Sequence, residues 1–189
     1  MTHEQLNHAR TELSVKAKNG MDFILAATII WIAATLLWTL PIPAYNKSVF
    51  QFIASGPLLP MAFGFSKLFK TDWKVKGNPL QPLGLLLNFA QFFYFPLLVF
   101  VLLKMPDYFM MTYAIITGAH FFPYAWFYNT KWFGLFAGII ALGALAMGLY
   151  LPAEKMYLIG TFTCVSLIIL FTLLMVDYRS KKAGWQPHA

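Results

Sequence analysis

Six stretches of the chain, roughly 22–41, 48–67, 80–103, 108–128, 132–151 and 156–177, hold Asp, Glu, Lys or Arg only at their ends. A helix rises about 1.5 Å per residue, so about 20 apolar residues cross a hydrocarbon core of about 30 Å. Each stretch meets that length. Lipid offers the backbone no hydrogen-bond partner, so helices are the expected form. A transmembrane barrel would show alternating segments of about ten residues, and none occur. The predicted fold is therefore all-α: an integral membrane six-helix transmembrane bundle with short loops and antiparallel neighbours.

Composition supports the bilayer as solvent. Of 189 residues, 59% are hydrophobic and 11% charged, whereas soluble domains carry about 25% charged residues. The whole chain, 1–189, reads as a single transmembrane domain. Residues 1–21 form a polar N-terminal segment and 178–189 a polar tail, both expected in the cytoplasm. Thr2 and Gln5 have capping-box spacing, and Leu6, Ala9 and Leu13 share a face, so the first segment is expected to form a helix at the membrane surface or in solvent. A cleaved signal peptide is a poor fit, because the first apolar run is a full span and no small-residue cleavage site follows it.

Turn signals separate the runs: "PIPAYNK", "KMPD", "NTK" and "PAEK", with "KTDWKVKGNP" as the longer loop. Basic residues then orient the threading. Arg10, Lys16, Lys18, Lys67, Lys70, Lys74, Lys76, Lys131, Arg179, Lys181 and Lys182 fall on one side. Only Lys47, Lys104 and Lys155 fall on the other, a split of 11 to 3. The positive-inside rule puts the basic side, and both termini, in the cytoplasm. The net charge of +7 thus reflects topology. The basic residues flank apolar runs and form no patch suited to nucleic acid.

Charged groups are missing from the middle of the spans, which argues against a proton- or sodium-coupled transporter. Enzyme chemistry is not expected. Intramembrane hydrolases need a nucleophile with a base, or a metal with several ligands. His120 is the one histidine inside a span; His3, His8 and His188 lie in the polar ends. One histidine cannot hold zinc, and a haem would lack a second ligand. No metal or cofactor is expected.

The chemistry-bearing pattern is a polar stripe. Tyr113, Thr117, His120 and Tyr124 follow +4, +3, +4 spacing, one face of the fourth span. Gln81, Gly84, Asn88 and Gln91 share a face of the third. Counted from the basic side, His120 and Asn88 both lie about 12 Å deep, and Gln91 is level with Thr117. Asn88–His120 and Gln91–Thr117 are expected to face each other, with Gln51 and Ser55 of the second span adding to them. Pro57, Pro60, Pro96 and Pro123 are expected to loosen the backbone by removing N–H donors from Ile53, Gly56, Phe92 and Ala119 carbonyls. Two readings stay open. The stripe lines a pocket for a small neutral or weakly polar solute, with His120, Asn88, Gln91, Tyr113, Thr117 and Tyr124 as ligand-binding residues. Alternatively it bonds only to itself, in a dry core that serves structure or a partner. A lipid-acting intramembrane enzyme is the remotest reading.

In the fifth span Gly134, Ala137, Ala141, Ala144 and Gly148 make a small-residue face, and Gly134 and Gly138 form a GxxxG pair. Close packing inside the bundle is the expected use, with a homo-oligomer through the Gly134–Gly138 face as the alternative. Most tryptophans fall near span ends and are expected to anchor at the interface. "SGPLLP" and "TGAHFFP" are loosely alike, but spans one to three do not align with four to six, so no inverted repeat is claimed.

The string "TGAHFFPYAWFY" at 117–128, with Gly118-Ala119-His120, Pro123 and Trp126, and the string "NPLQPLGLLLNFAQ" at 78–91 resemble a family of small bacterial six-span membrane proteins known as a domain of unknown function. The resemblance implies a bacterial inner-membrane location and a six-helix bundle. It implies no activity, substrate or catalytic residue.

Overall fold

A computed structural model describes residues 1–186; His188 lies outside them. The described residues contain helices and no strand. The helices are α1 (His3–Lys16), α2 (Met21–Trp38), α3 (Ala44–Ala54), α4 (Leu58–Phe69), α5 (Gln81–Ala90), α6 (Phe95–Lys104), α7 (Phe109–Phe127), α8 (Lys131–Tyr150) and α9 (Tyr157–Gly184). Four segments are long and apolar enough to cross a membrane: Lys18–Trp38, Gln81–Lys104, Lys131–Tyr150 and Ala153–Gly184. The bent pair α3 and α4, angled by 40°, makes a fifth if taken as one span. The sixth expected segment, α7, has 19 residues but falls short on apolarity. Thr112, Tyr113, Thr117, His120, Pro123 and Tyr124 dilute it, and these include the polar stripe.

Two spans are broken. The α3–α4 bend falls at Ser55-Gly56-Pro57, where Pro57 caps α4. The expected loss of a donor for Ile53 is repaired, since the Gly56 N–H reaches the Ile53 carbonyl at 3.0 Å. A 3-10 turn at Gln91–Tyr94 separates α5 from α6, and there the Phe95 N–H serves the Phe92 carbonyl. Both breaks tighten the backbone into i→i+3 bonds and leave these carbonyls satisfied.

Small residues set the tightest helix pair. α7 lies on α8 so closely that a Cβ at Gly118 would stand 2.9 Å from the Ala141 backbone nitrogen. A Cβ at Gly134 would meet Ala125, and one at Gly148 would meet Met111. The small-residue face of α8 is thus used within the bundle, while Gly138 has open space around it. α9 closes the bundle, with Ile159, Leu167, Leu170 and Leu174 fully buried.

Three of the basic residues are held by hydrogen bonds at one end. Arg10 donates to the Trp126 carbonyl, Lys18 to the Phe69 carbonyl and Lys181 to the Tyr128 carbonyl. The Asp72 N–H reaches the Lys16 carbonyl at 3.0 Å. At the opposite end Lys47 donates to the Trp38 carbonyl and Ser48 to that of Pro106.

The capping box forms at α1, with Thr2 and Gln5 serving each other's backbone. The helix does not rest on lipid or water alone: Ala9, Leu13, Ser14 and Val15 are buried. A left-handed run, Lys18, Asn19 and Gly20, turns the chain from α1 into α2. Asn19 is held there by Ser14, by the Leu174 carbonyl at 3.1 Å and by Asp177 at 2.9 Å. Gly20 is required twice, by its positive φ of 66° and by Tyr128, whose hydroxyl would lie 3.2 Å from an added Cβ.

Two tryptophans depart from the expected interface role. Trp31 and Trp38 are buried. The Trp38 indole N–H donates to Gln51 Oε1 at 2.6 Å, and the Gln51 amide lies 3.7 Å from Met110 Sδ. A buried indole needs an acceptor, and Gln51 supplies one inside the protein.

Candidate functional site

A cavity of about 140 Å³ sits among α2, the α3–α4 bend, the α5–α6 break and α7. All six sequence-predicted residues line it: Asn88 and Gln91 from α5 and its turn, and Tyr113, Thr117, His120 and Tyr124 from α7. Ser55 and Leu58 enter from the two sides of the α3–α4 bend, and Phe95 from the α5–α6 break. Both broken spans therefore end their regular hydrogen bonding at the cavity wall. The remaining lining is apolar, with Ile24, Ala27, Trp31, Leu98 and Phe121 among it.

The expected facing pairs share a space without bonding each other. The Asn88 amide donates to the Gly84 carbonyl of its own helix at 2.8 Å. Thr117 donates to the Tyr113 carbonyl at 2.8 Å. The α5 and α7 stripes are separated by the cavity. Span three is the least buried of the apolar segments, so its polar face looks across a gap. Gln51, also expected in the layer, is instead fully buried beneath Trp38.

His120 has one polar neighbour. Its Nε2 lies 3.5 Å from the Tyr124 hydroxyl, at the limit of a hydrogen bond, and the rings meet edge to face at 5.3 Å. The histidine is half-buried. The Gln91 side chain has no hydrogen-bond partner among the described residues. Tyr113 interacts with the Ser55 hydroxyl and packs against Trp31, ring centroids 5.4 Å apart. Among the described residues no group of three His, Cys, Asp or Glu could hold a metal ion.

Tyr128 joins the site although it lies outside the stripe expected from the sequence. It continues the stripe four residues past Tyr124, stacks on it at 6.0 Å and lines the cavity. Its position was legible as the next term of the same helical face. Asp22 was also undervalued. Placed at a span end by the sequence, it is 1% exposed and accepts from the Trp73 indole at 2.6 Å and the Thr71 hydroxyl at 2.9 Å. No local pattern pairs residue 22 with 71 and 73, so only the tertiary structure reveals it.

No curated protein and no solved structure matches the chain. A family model does, over residues 6–177, which takes in most of α1, both broken spans and the whole polar stripe. The likeness to an uncharacterised family is thereby made good, and the chain belongs to DUF7010, a family of unknown function.

Proposed function

We propose that the chain is a non-enzymatic multi-pass protein of a bacterial cytoplasmic membrane, crossing it six times with both termini inside. Its intramembrane pocket binds or passes a small neutral or weakly polar solute. The observation that carries this reading is the cavity itself, where two broken spans meet a helix bearing His120 and where the imidazole and the Gln91 amide keep hydrogen-bonding capacity. Broken helices at membrane depth are tolerated where they line cavities, and sites of this kind recur in solute carriers. His120 would donate to and accept from the solute, Gln91 would add a second amide contact, and the aromatic walls would exclude water. The rival reading, a core serving structure or a partner, draws support from Asn88 and Thr117, whose donors are engaged within their own helices. A homo-oligomer through the Gly134–Gly138 face would have only Gly138 open to a second copy.

Access to the cavity separates these readings. With Cys164 replaced by alanine, the His120→Cys variant should react with N-ethylmaleimide in membranes, and Ala114→Cys, fully buried on the same helix, should not. A folded His120→Cys protein that stays unreactive would refute the pocket. Since hydrogen bonds in membranes average about 0.6 kcal/mol, His120→Ala should change thermal stability in detergent little; a drop of many degrees would favour the structural rival.

The orientation has its own test. In the same cysteine-free background, a membrane-impermeant maleimide added to intact cells should label Asp107→Cys and leave Lys74→Cys untouched. The reverse pattern overturns the threading.

A further inference from the structure

A second and larger cavity, about 720 Å³, lies beside the first and toward the basic end. It exists because α5 stands away from the bundle. Along its length α5 packs mainly on the turn that follows it, with Leu83 and Leu87 reaching the core. Its start is tied down by Gln81, which bonds the Trp73 carbonyl and the Val75 N–H, each at 2.9 Å. Gly84 rests on the Phe127 ring.

The cavity has two kinds of wall. Its lining is mostly apolar, from buried Leu13 and Phe127 to exposed Leu59, Leu85 and Phe89. Its mouth is the strap 71–78, which contributes Lys74 and Lys76. Both are exposed, and neither has a hydrogen bond or ion pair among the described residues. Three other lysines at this end are engaged, Lys16 with Glu12, Lys18 with the Phe69 carbonyl and Lys181 with Asp177; Lys67, Lys70, Lys131 and Lys182 have no such bond among the described residues but do not border the cavity. The strap is ordered, since Asp22 holds Trp73 and Thr71, and Asn78 donates to the Ala9 carbonyl and to Glu12. Val75, buried between the two lysines, turns inward. Two acidic residues also face the cavity. Asp22 is occupied by its donors, and Asp72 offsets one positive charge.

An apolar slot of this size, open at the basic end of the helices and flanked by two free ammonium groups, matches neither water nor a neutral solute. Dry apolar space takes up hydrocarbon, and basic pockets at the cytoplasmic side of spans bind anionic head groups. We propose that this slot is a discrete binding site for an anionic phospholipid of the membrane. Its phosphate sits on Lys74 and Lys76, and an acyl chain fills the space between α5 and the start of α2. The proposal does not rest on the solute pocket, which adjoins this cavity: Gly20, Phe23, Asn88, Gln91 and Tyr128 border both.

The test uses the full chain purified in dodecyl maltoside. Phosphatidylglycerol should raise Tm by about 5 °C over phosphatidylcholine of the same chains, the size expected of a ligand well above its Kd. Lys74→Gln with Lys76→Gln should abolish most of that difference. Lys67→Gln with Lys70→Gln removes the same charge from the same end, outside the cavity, and should leave it intact. Native mass spectrometry should show one retained phosphatidylglycerol on the parent protein and none on the first variant. Four results overturn the proposal: equal losses in both variants, which would mean a diffuse basic rim; equal shifts with the two lipids, which would mean tail filling alone; an equal shift with inorganic phosphate; or no lipid shift.

Discussion

The Gly118→Ala variant should lose about 1–3 kcal/mol of stability, the usual cost of forcing extra volume into a packed interface. The added methyl would stand 2.9 Å from the Ala141 backbone nitrogen and 3.0 Å from two Ile140 carbons. Neither neighbour is the far end of a flexible side chain, so α7 and α8 would have to separate. That pair makes the most extensive contact in the bundle, and it positions the helix that carries His120. Gly118→Leu should go further and prevent folding. Gly138→Ala, on the same α8 face, meets nothing within 4 Å and should change stability by less than about 0.5 kcal/mol. Thermal unfolding of the three variants in one detergent checks the contrast. Similar effects for Gly118→Ala and Gly138→Ala would show that α7 and α8 do not approach this closely.

The second large effect concerns Asp22. Asp22→Ala removes the acceptor for the Trp73 indole and the Thr71 hydroxyl. A buried donor left without a partner costs about 1–3 kcal/mol; these two are part-buried, and the Thr71 hydroxyl keeps a weak contact with the Ser66 carbonyl at 3.5 Å, so the loss falls toward the lower end. The loss falls on the strap, whose remaining ties run through Asp72, Gln81 and Asn78. Trypsin should therefore cut at Lys74 and Lys76 at least several-fold faster in the variant, with cleavage elsewhere unchanged. Asp22→Asn keeps one acceptor oxygen and should show an intermediate rate. If Asp22→Ala leaves both cleavage and Tm at parental values, the carboxylate does not hold the strap.

Much of the helical framework was legible because its causes are local. Apolar run length, prolines and turn residues mark helices wherever the chain meets lipid. The capping box of α1 is a contact between residues three apart. The polar stripe follows from helical periodicity alone, and all six of its predicted residues line one cavity. The fate of each stripe residue was not legible. Asn88 and Gln91 were expected to face His120 and Thr117 of α7, with a pocket or a direct bond between them left open, and a cavity lies between them. How far apart two helices sit depends on side chains along their whole length, and spacing within one helix carries no such information.

The same limit separates Trp126 from Trp38. Both lie near the end of an apolar run, and a sequence reading treats them alike. Trp126 is 44% exposed, whereas Trp38 is 2% exposed and bonded to Gln51. Gln51, Asp22 and Asn78 are polar residues whose partners lie 13 to 69 positions away.

The sequence by itself determined that the chain is all-helical, that its long helices suit a bilayer and that one helical face concentrates the polar groups. Those properties depend on periodicity and on the cost of unpaired backbone in an apolar solvent, which act over a few residues at a time. The tertiary structure alone decided that the stripe faces a cavity, that α1 docks on the bundle and that a strap tied to Asp22 roofs a second space. These depend on which distant groups meet, and the meeting is set by packing.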